Sequence, residues 1–328
     1  MSLKSESSAS ISDSLPISTW LAPIALCVAL VGIASASILV VIAEQDISPN
    51  AVACNRLGFA AIAFALLNGT QRFYKAKVKD ENTDESNGPT PYKPKDVGLL
   101  VIAGSCFSSS LMIWAWSLTQ TSVANSTLLN NMMPIFITLA GWLFLGQQFS
   151  NRFLLGMGVA IAGTVAIGIE DLQATIGLWG DAAALFAAML FAINLLVVER
   201  LRTKFSVSSI MMWQSLIGCL FSLIVVLITG STLFASSWIG WGSVLGLALF
   251  AQVIGQGLLA YSLKHFSASL VAVSMLAIPV IAAFAAFLIF SEHLSLLNWF
   301  AFAVVLVGIY LSISATTAET LEVENKLL

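Results

Sequence analysis

Charge is scarce in this sequence. Only 9% of its 328 residues are Asp, Glu, Lys or Arg, whereas 58% are hydrophobic and the mean hydropathy is +0.93. Soluble domains carry about 25% charged residues, so the composition excludes an ordinary water-soluble domain. The formal net charge of -3 lies mostly in termini and loops. It therefore indicates no particular partner, and we expect no nucleic acid among the partners.

Residues that support catalysis or metal binding are also few. The four cysteines fall singly in four different hydrophobic stretches, at Cys27, Cys54, Cys106 and Cys219. Such isolated positions predict neither a disulfide framework nor a metal-ligand spacing. Only two histidines occur, and the sequence contains no GxxxxGK[ST] nucleotide loop. We therefore expect no catalytic residues, no metal, no cofactor and no ATP-driven pumping by this chain alone.

Long hydrophobic runs are abundant instead. A helix needs about 20 apolar residues to cross the hydrocarbon core of a bilayer, and ten windows of that kind follow one another. They cover residues 20–43, 50–69, 97–118, 122–145, 153–169, 178–198, 207–229, 239–262, 267–290 and 295–315. The sequence therefore predicts an all-α integral membrane protein with ten transmembrane helices, called spans 1 to 10, and a lipid bilayer as its surroundings.

The distribution of Lys and Arg predicts the orientation of these spans. If the N-terminus is cytoplasmic, thirteen of the fourteen Lys and Arg residues lie in cytoplasmic loops or tails, and the exception is Arg56 in span 2. The loops on the other side contain acidic residues but no Lys or Arg. This asymmetry is the positive-inside pattern of membrane proteins. We expect both termini to be cytoplasmic.

Part of the sequence occurs twice. WSLTQTSVANSTLLNNMMP, residues 116–134, resembles YSLKHFSASLVAVSMLAIP, residues 261–279, at an offset of 145 residues. The match runs without gaps from residue 115 to 164 and pairs Pro134 with Pro279. It maps spans 3 to 5 onto spans 8 to 10, so the repeated unit has five helices. Because five is odd, the second unit must be inverted in the membrane, as in many secondary transporters.

Arg56 is the most informative polar residue. It lies six residues into span 2, about 9 Å below the surface, where insertion of an Arg costs roughly 2.5–3.5 kcal/mol. Its side chain could extend to the headgroups or pair structurally with Glu44 or Asp181. The functional alternative is an anion or carboxylate clamp in a cavity, and both interpretations stay open at this stage.

Amide side chains form a second group of candidates. Gln252 and Gln256 in span 8 are four residues apart, so they share one face of a helix. They are expected to face the interior, either in hydrogen bonds between helices or in substrate recognition. Gln214 in span 7, which aligns with Arg56 in the repeat, and Asn194 in span 6 allow the same two interpretations.

Prolines predict interruptions in spans 4 and 9. Pro134 and Pro279 lack the N–H that a helix interior requires, so each span is expected to kink there. Asn130 stands beside the first kink and could satisfy freed backbone groups or bind a ligand. Trp114 and Tyr261, at the start of the repeated segment, are either interfacial belt residues or aromatic cavity walls.

Three acids are candidates for coupling to a proton, namely Asp181, Glu44 and Glu292. Asp181 opens span 6 and could instead stabilise the helix N-terminus. Simple exchange or facilitated flux remains equally open.

Small residues recur at matched positions of spans 5 and 10, including Gly156, Gly163, Ala301 and Gly308. They predict close helix packing, as scaffold contacts within the chain or as the face of a homodimer.

These features together resemble the drug/metabolite transporter superfamily, in particular proteins with two EamA-type halves. The resemblance covers residues 20–314. The resemblance rests on Arg56 and on the segments WSLTQTSVANSTLLNNMMPIF, GDAAALFAAMLFAINLLVVERL and YSLKHFSASLVAVSMLAIPVIAAFAAFLIFSEHL. It implies two inverted five-helix repeats around a central cavity, alternating access, and export of small metabolites, amino acids or drugs.

The expected organisation follows. Residues 19–169 form the first EamA-like repeat and 170–315 the second, with a disordered cytoplasmic tail at 1–18, a charged cytoplasmic linker at 72–96 and a cytoplasmic tail at 316–328. The expected function is a secondary transporter, an exporter of a small-molecule substrate. The alternative is a membrane receptor, scaffold or enzyme without transport. The expected location is the inner membrane of a bacterial cell, with a plastid envelope as the second choice.

Overall fold

The computed structural model describes residues 18–79, 93–168, 177–290 and 295–327. Nearly all of the predicted tail at 1–18, the centre of the linker at 80–92 and the candidate acid Glu292 lie outside the described residues. The C-terminal segment 316–327 continues the last helix.

The described residues form helices and contain no strand. The fourteen α-helices are α1 (Ser18–Ala34), α2 (Ala36–Glu44), α3 (Pro49–Lys79), α4 (Pro94–Ser117), α5 (Val123–Asn130), α6 (Met133–Leu145), α7 (Asn151–Gly168), α8 (Leu178–Arg202), α9 (Val207–Thr229), α10 (Trp238–Gly246), α11 (Gly257–Ser262), α12 (Ala268–Met275), α13 (Ala277–Phe290) and α14 (Leu296–Leu327). A π-helical segment, Leu247–Gln256, joins α10 to α11.

Nine stretches of the described residues are long and apolar enough to cross a membrane. They are Leu21–Glu44, Pro49–Gln71, Pro94–Ser117, Asn125–Phe144, Leu178–Arg202, Val207–Thr229, Trp238–Ser262, Ala268–Ala285 and Leu296–Ala315. Their bounds lie within a few residues of nine of the predicted spans. The remaining prediction, span 5, corresponds to an apolar helix over Asn151–Ile167 that is shorter than the others. The chain is a multi-pass membrane protein, and the tenth crossing stays a prediction.

Spans 4 and 9 are interrupted at matching places. The helices α5 and α12 each have eight residues, and they begin 145 residues apart. Each is capped by a serine, because Ser122 Oγ accepts from the backbone N–H of Asn125 at 3.1 Å and Ser267 Oγ accepts from that of Leu270 at 3.4 Å. Each break comes a few residues before Pro134 or Pro279, as expected where a proline leaves the carbonyl four residues earlier without a donor.

The helices α7 and α14 pack closely and in opposite directions. Gly156 lies against Gly308, whereas Gly163, farther along α7, lies against Ala301 and Val305. A Cβ atom added to Gly163 would lie 2.8 Å from the backbone nitrogen of Val305, closer than packed atoms allow. The small residues of spans 5 and 10 thus form a contact within this chain.

Every described span of the first half packs on a span of the second half. Helix α3 lies on α9, α4 on α8, α6 on α12 and α7 on α14, while α1 lies along the π-helical segment and α11. The close approach of α1 occurs at Gly32, where an added Cβ would lie 2.8 Å from the carbonyl oxygen of Phe250. The two halves therefore interleave, and the hydrophobic core lies between them.

Candidate functional site

A buried arginine lies at the contact between α3 and the π-helical segment. Arg56 is 7% exposed and Gln252 is fully buried. The guanidinium donates to the amide oxygen of Gln252 from two atoms, Nε at 3.1 Å and Nη2 at 2.8 Å. The two residues are 196 positions apart in the chain, and they meet because α3 runs beside this segment. π-Helical geometry inside a helix is rare and is frequent at functional sites.

The chemistry of this pair fixes the orientation of the Gln252 amide. A guanidinium has donors and no acceptor, so the amide oxygen must face it and the NH₂ group must point away. That nitrogen, Nε2, is buried and has no hydrogen-bond partner. The Nη1 atom of Arg56 also donates to no described residue. The pair therefore presents unused N–H donors and keeps its positive charge.

No described carboxylate neutralises Arg56. The one ion pair found among the described residues joins Lys204 Nζ to Asp96 Oδ1 at 2.9 Å. Asp181 accepts instead from Thr121 Oγ1 at 2.7 Å, and Glu44 is exposed at the end of α2. Of the two alternatives that the sequence left open, the structural pairing of Arg56 with Glu44 or Asp181 is absent among the described contacts, and Gln252 is the partner.

Several other candidate residues hold buried polar atoms without partners. Both amide atoms of Gln214 are of this kind, although the residue is only 1% exposed. The same holds for Oδ1 of Asn194, Oδ1 of Asn130 and Nε1 of Trp114. In folded proteins about nine in ten buried polar groups are paired, so these unpaired groups are candidates for contact with a ligand. Gln256, one turn from Gln252, is 6% exposed and has no described partner.

Sequence reasoning missed a groove at the end of the molecule that contains the C-terminus of α8. Its volume is about 830 Å³, and residues of both halves line it, among them Phe144, Leu196, Glu199, Arg202 and His265. Glu199 Oε1 accepts from the backbone N–H of Ala268 at 2.8 Å, at the start of α12. Arg202 entered the sequence analysis only through the orientation of the spans, and Glu199 was not among its candidate residues.

Arg202 is a second buried arginine, 8% exposed. It donates to the carbonyl oxygens of Ala260 at 2.9 Å and Phe205 at 2.6 Å. Tyr261 lies near the same end, and its ring packs at 5.1 Å from the ring of His265. Tyr261 lies at the end of α11, next to the groove residue His265, and its part in the substrate path stays a prediction.

Two cysteines meet across the contact of α3 with α9. The Sγ atoms of Cys54 and Cys219 are 3.9 Å apart, although the sequence placed them singly in separate spans. Only the packing of two distant spans brings them together.

Comparison with known proteins decides the family. Residues 20–169 and 178–314 match the EamA-like transporter family. The chain belongs to that family. A crystal structure of a protein of 15% sequence identity aligns with this EamA-like transporter at a TM-score of 0.73, covering 91% of this chain and 98% of the other. At that identity the likeness shows the fold alone. No curated protein matches the chain.

Membership confirms the resemblance to the drug/metabolite transporter superfamily. It supports a transport function of that general type for this EamA-like transporter, in which two family units fill most of the chain.

Proposed function

We propose that this EamA-like transporter is a secondary carrier that exports a small organic metabolite, an amino acid, a related compound or a drug, by alternating access of two inverted five-helix repeats. The observation that carries the proposal is the packing of α7 on α14. Alternating access needs two conformations that are related by exchanging the roles of the repeats, and inverted repeats provide them.

The α7–α14 contact supports the inversion through its register. Adding the repeat offset of 145 to Gly156 and Gly163 gives Ala301 and Gly308. The contact of Gly156 with Gly308 becomes, after this exchange, the contact of Ala301 with Gly163, and both contacts are present. Two helices that correspond in the repeat and pack in opposite directions are what a twofold axis between inverted repeats produces.

The interrupted spans supply the moving parts of this proposal. The breaks between α5 and α6 and between α12 and α13 fall at equivalent places of the two halves, and α6 packs on α12. Rocking of the repeats about these breaks would open one end of the path while closing the other. The groove beside Glu199 has the size of small-molecule sites, which span about 300–1,000 Å³, and we assign it as the cytoplasmic entrance.

We place both termini and the linker at 72–96 in the cytoplasm, and the protein in the inner membrane of a bacterial cell rather than a plastid envelope. We assign Arg56, Gln252, Gln256, Gln214, Asn194, Asn130 and Trp114 to the substrate path. Because an amide rather than a carboxylate faces Arg56, exchange or facilitated flux fits better than a proton relay through Asp181 or Glu44.

The experiment is a comparison of metabolites in medium and cytosol. Cells express the wild type, Arg56→Ala or Arg152→Gln at matched membrane levels. Arg152 is exposed at the start of α7, so its change removes one arginine charge without touching the proposed path. We expect at least one compound to accumulate outside with the wild type and Arg152→Gln but not with Arg56→Ala. Equal profiles for cells with and without the wild-type protein would overturn the carrier proposal.

A further inference from the structure

We propose that the exported substrate carries a carboxylate, which binds to the free edge of the Arg56 guanidinium beside the NH₂ group of Gln252. This inference rests on the proposed function, because it names the chemical class of the substrate for that site. It is carried by the contacts, burial and charge of the two residues.

Arg56 has more N–H donors than Gln252 accepts from. A guanidinium has five N–H bonds, and the Gln252 oxygen takes one from Nε and one from Nη2. One N–H on Nη2 and two on Nη1 remain. The edge between Nη1 and Nη2 presents two parallel N–H bonds, a geometry that matches the two oxygens of a carboxylate.

The positive charge of Arg56 has no described counter-ion. Gln252 satisfies hydrogen-bonding capacity at Arg56 without contributing negative charge, and no described carboxylate lies within 4 Å of the guanidinium. The cation is thus held in a buried position with its charge uncompensated. A ligand that brings an anion to this edge gains an attraction that the surrounding low dielectric strengthens. A cationic group at the same place would be repelled.

Gln252 also has a donor group that is not used within the protein. Its Nε2 is buried without a partner, which is costly for a donor in an apolar environment. The Arg56 contact directs this nitrogen away from the guanidinium, so it adds an N–H for a ligand oxygen. The Nη1–Nη2 edge of Arg56 and the Nε2 atom of Gln252 are thus two donor groups with no acceptor among the described residues.

Specificity follows from the same geometry. A carboxamide of the same shape keeps one oxygen but loses the charge and presents N–H bonds to a group that can only donate. We expect the acid to bind at least about tenfold better than its amide, the factor that corresponds to one charge-assisted hydrogen bond.

The decisive variant is Gln252→Glu. It preserves the size of the side chain and places a carboxylate against Nε and Nη2 of Arg56, so the cation is neutralised inside the protein. We expect the thermal unfolding midpoint to stay at or above that of the wild type, while export falls at least tenfold. Gln148→Glu, at an exposed position after α6, adds the same charge elsewhere and should export like the wild type.

The experiment has two arms. Compounds that the wild type exports are identified by mass spectrometry of the medium, and each exported acid and its carboxamide are then tested for raising the unfolding midpoint of purified wild type and Gln252→Glu. We expect the exported compounds to be carboxylates, with the acid alone stabilising the wild type and neither stabilising Gln252→Glu. Exported compounds without a carboxylate, equal effects of acid and amide, or wild-type export by Gln252→Glu would each overturn this inference while the carrier proposal stands. Absence of any exported compound would overturn the proposed function and this inference with it.

Discussion

The guanidinium of Arg56 and the side-chain oxygen of Gln252 join the two halves of this EamA-like transporter inside the protein, through hydrogen bonds of 3.1 and 2.8 Å. Arg56 belongs to the first family match and Gln252 to the second. Any movement of one half against the other at this depth must preserve, break or exchange these two bonds.

We expect Arg56→Ala to abolish export and Gln252→Ala to reduce it less. The first change removes the charge and all its donors, whereas the second leaves the guanidinium available to a ligand. A hydrogen bond to a charged group contributes about 1.5–3 kcal/mol, so we expect at least a tenfold loss for Arg56→Ala. Initial export rates at matched membrane levels measure both effects. Wild-type export by Arg56→Ala would show that Arg56 serves only to anchor the helix.

We expect Gly163→Ala to destabilise the fold. The new Cβ would lie 2.8 Å from the backbone nitrogen of Val305 and 3.1 Å from the carbonyl oxygen of Ala301, and backbone atoms of a packed helix pair cannot move aside cheaply. Overpacking of this kind costs about 1–3 kcal/mol. The measurement is the unfolding midpoint in detergent, with Gly158→Ala as the matched control, because nothing lies within 4 Å of a Cβ at Gly158. Equal midpoints for the two variants would contradict the α7–α14 packing.

The sequence was sufficient to predict most helices, and physical reasons explain which features it missed. Span positions follow from apolar length, and the breaks of spans 4 and 9 follow from Pro134 and Pro279. The partner of Arg56 depends on which distant helix packs against α3, and a local pattern carries no such information. The π-helical geometry of Leu247–Gln256 has no marker in its composition.

We expect oxidation to join Cys54 to Cys219. Their sulfur atoms are 3.9 Å apart, so copper–phenanthroline with oxygen as the oxidant should remove two hydrogens and form a disulfide between α3 and α9. A protease site inserted at 80–92 then separates the chain into two fragments that stay together on a non-reducing gel. Cys54→Ser should release the fragments and Cys106→Ser should not. Release in the oxidised wild type would be inconsistent with the α3–α9 contact.

We expect the connection between α2 and α3 to lose stability in acid. Hydrogen bonds from the Ser236 side chain and the Ser237 backbone hold the pKa of Asp46 below its ordinary value of 3.8. Because the pKa is lower in the folded state, this stabilisation is complete above pH 3.8 and disappears as the pH falls through the folded value. The difference in unfolding midpoint between the wild type and Asp46→Ala should therefore be constant well above pH 3.8 and shrink as the pH falls below 3.8. A constant difference would show that the Asp46 carboxylate does not contribute through its charge.

The two ends of the molecule are stabilised by different polar contacts. At one end Lys204 donates to Asp96 at 2.9 Å, with Lys204 largely exposed to solvent, and at the other Asp46 accepts from the hydroxyl and backbone groups of Ser236 and Ser237. Ions in solution screen an exposed ion pair, whereas protonation removes the acceptor charge of Asp46. The composition of the solution on each side therefore acts separately on the ion pair and on the Asp46 hydrogen bonds. A rise in ionic strength at one face would weaken the Lys204–Asp96 ion pair, and acid at the other face would weaken the contacts of Asp46. The two ends of this transporter therefore respond to different changes in the solution.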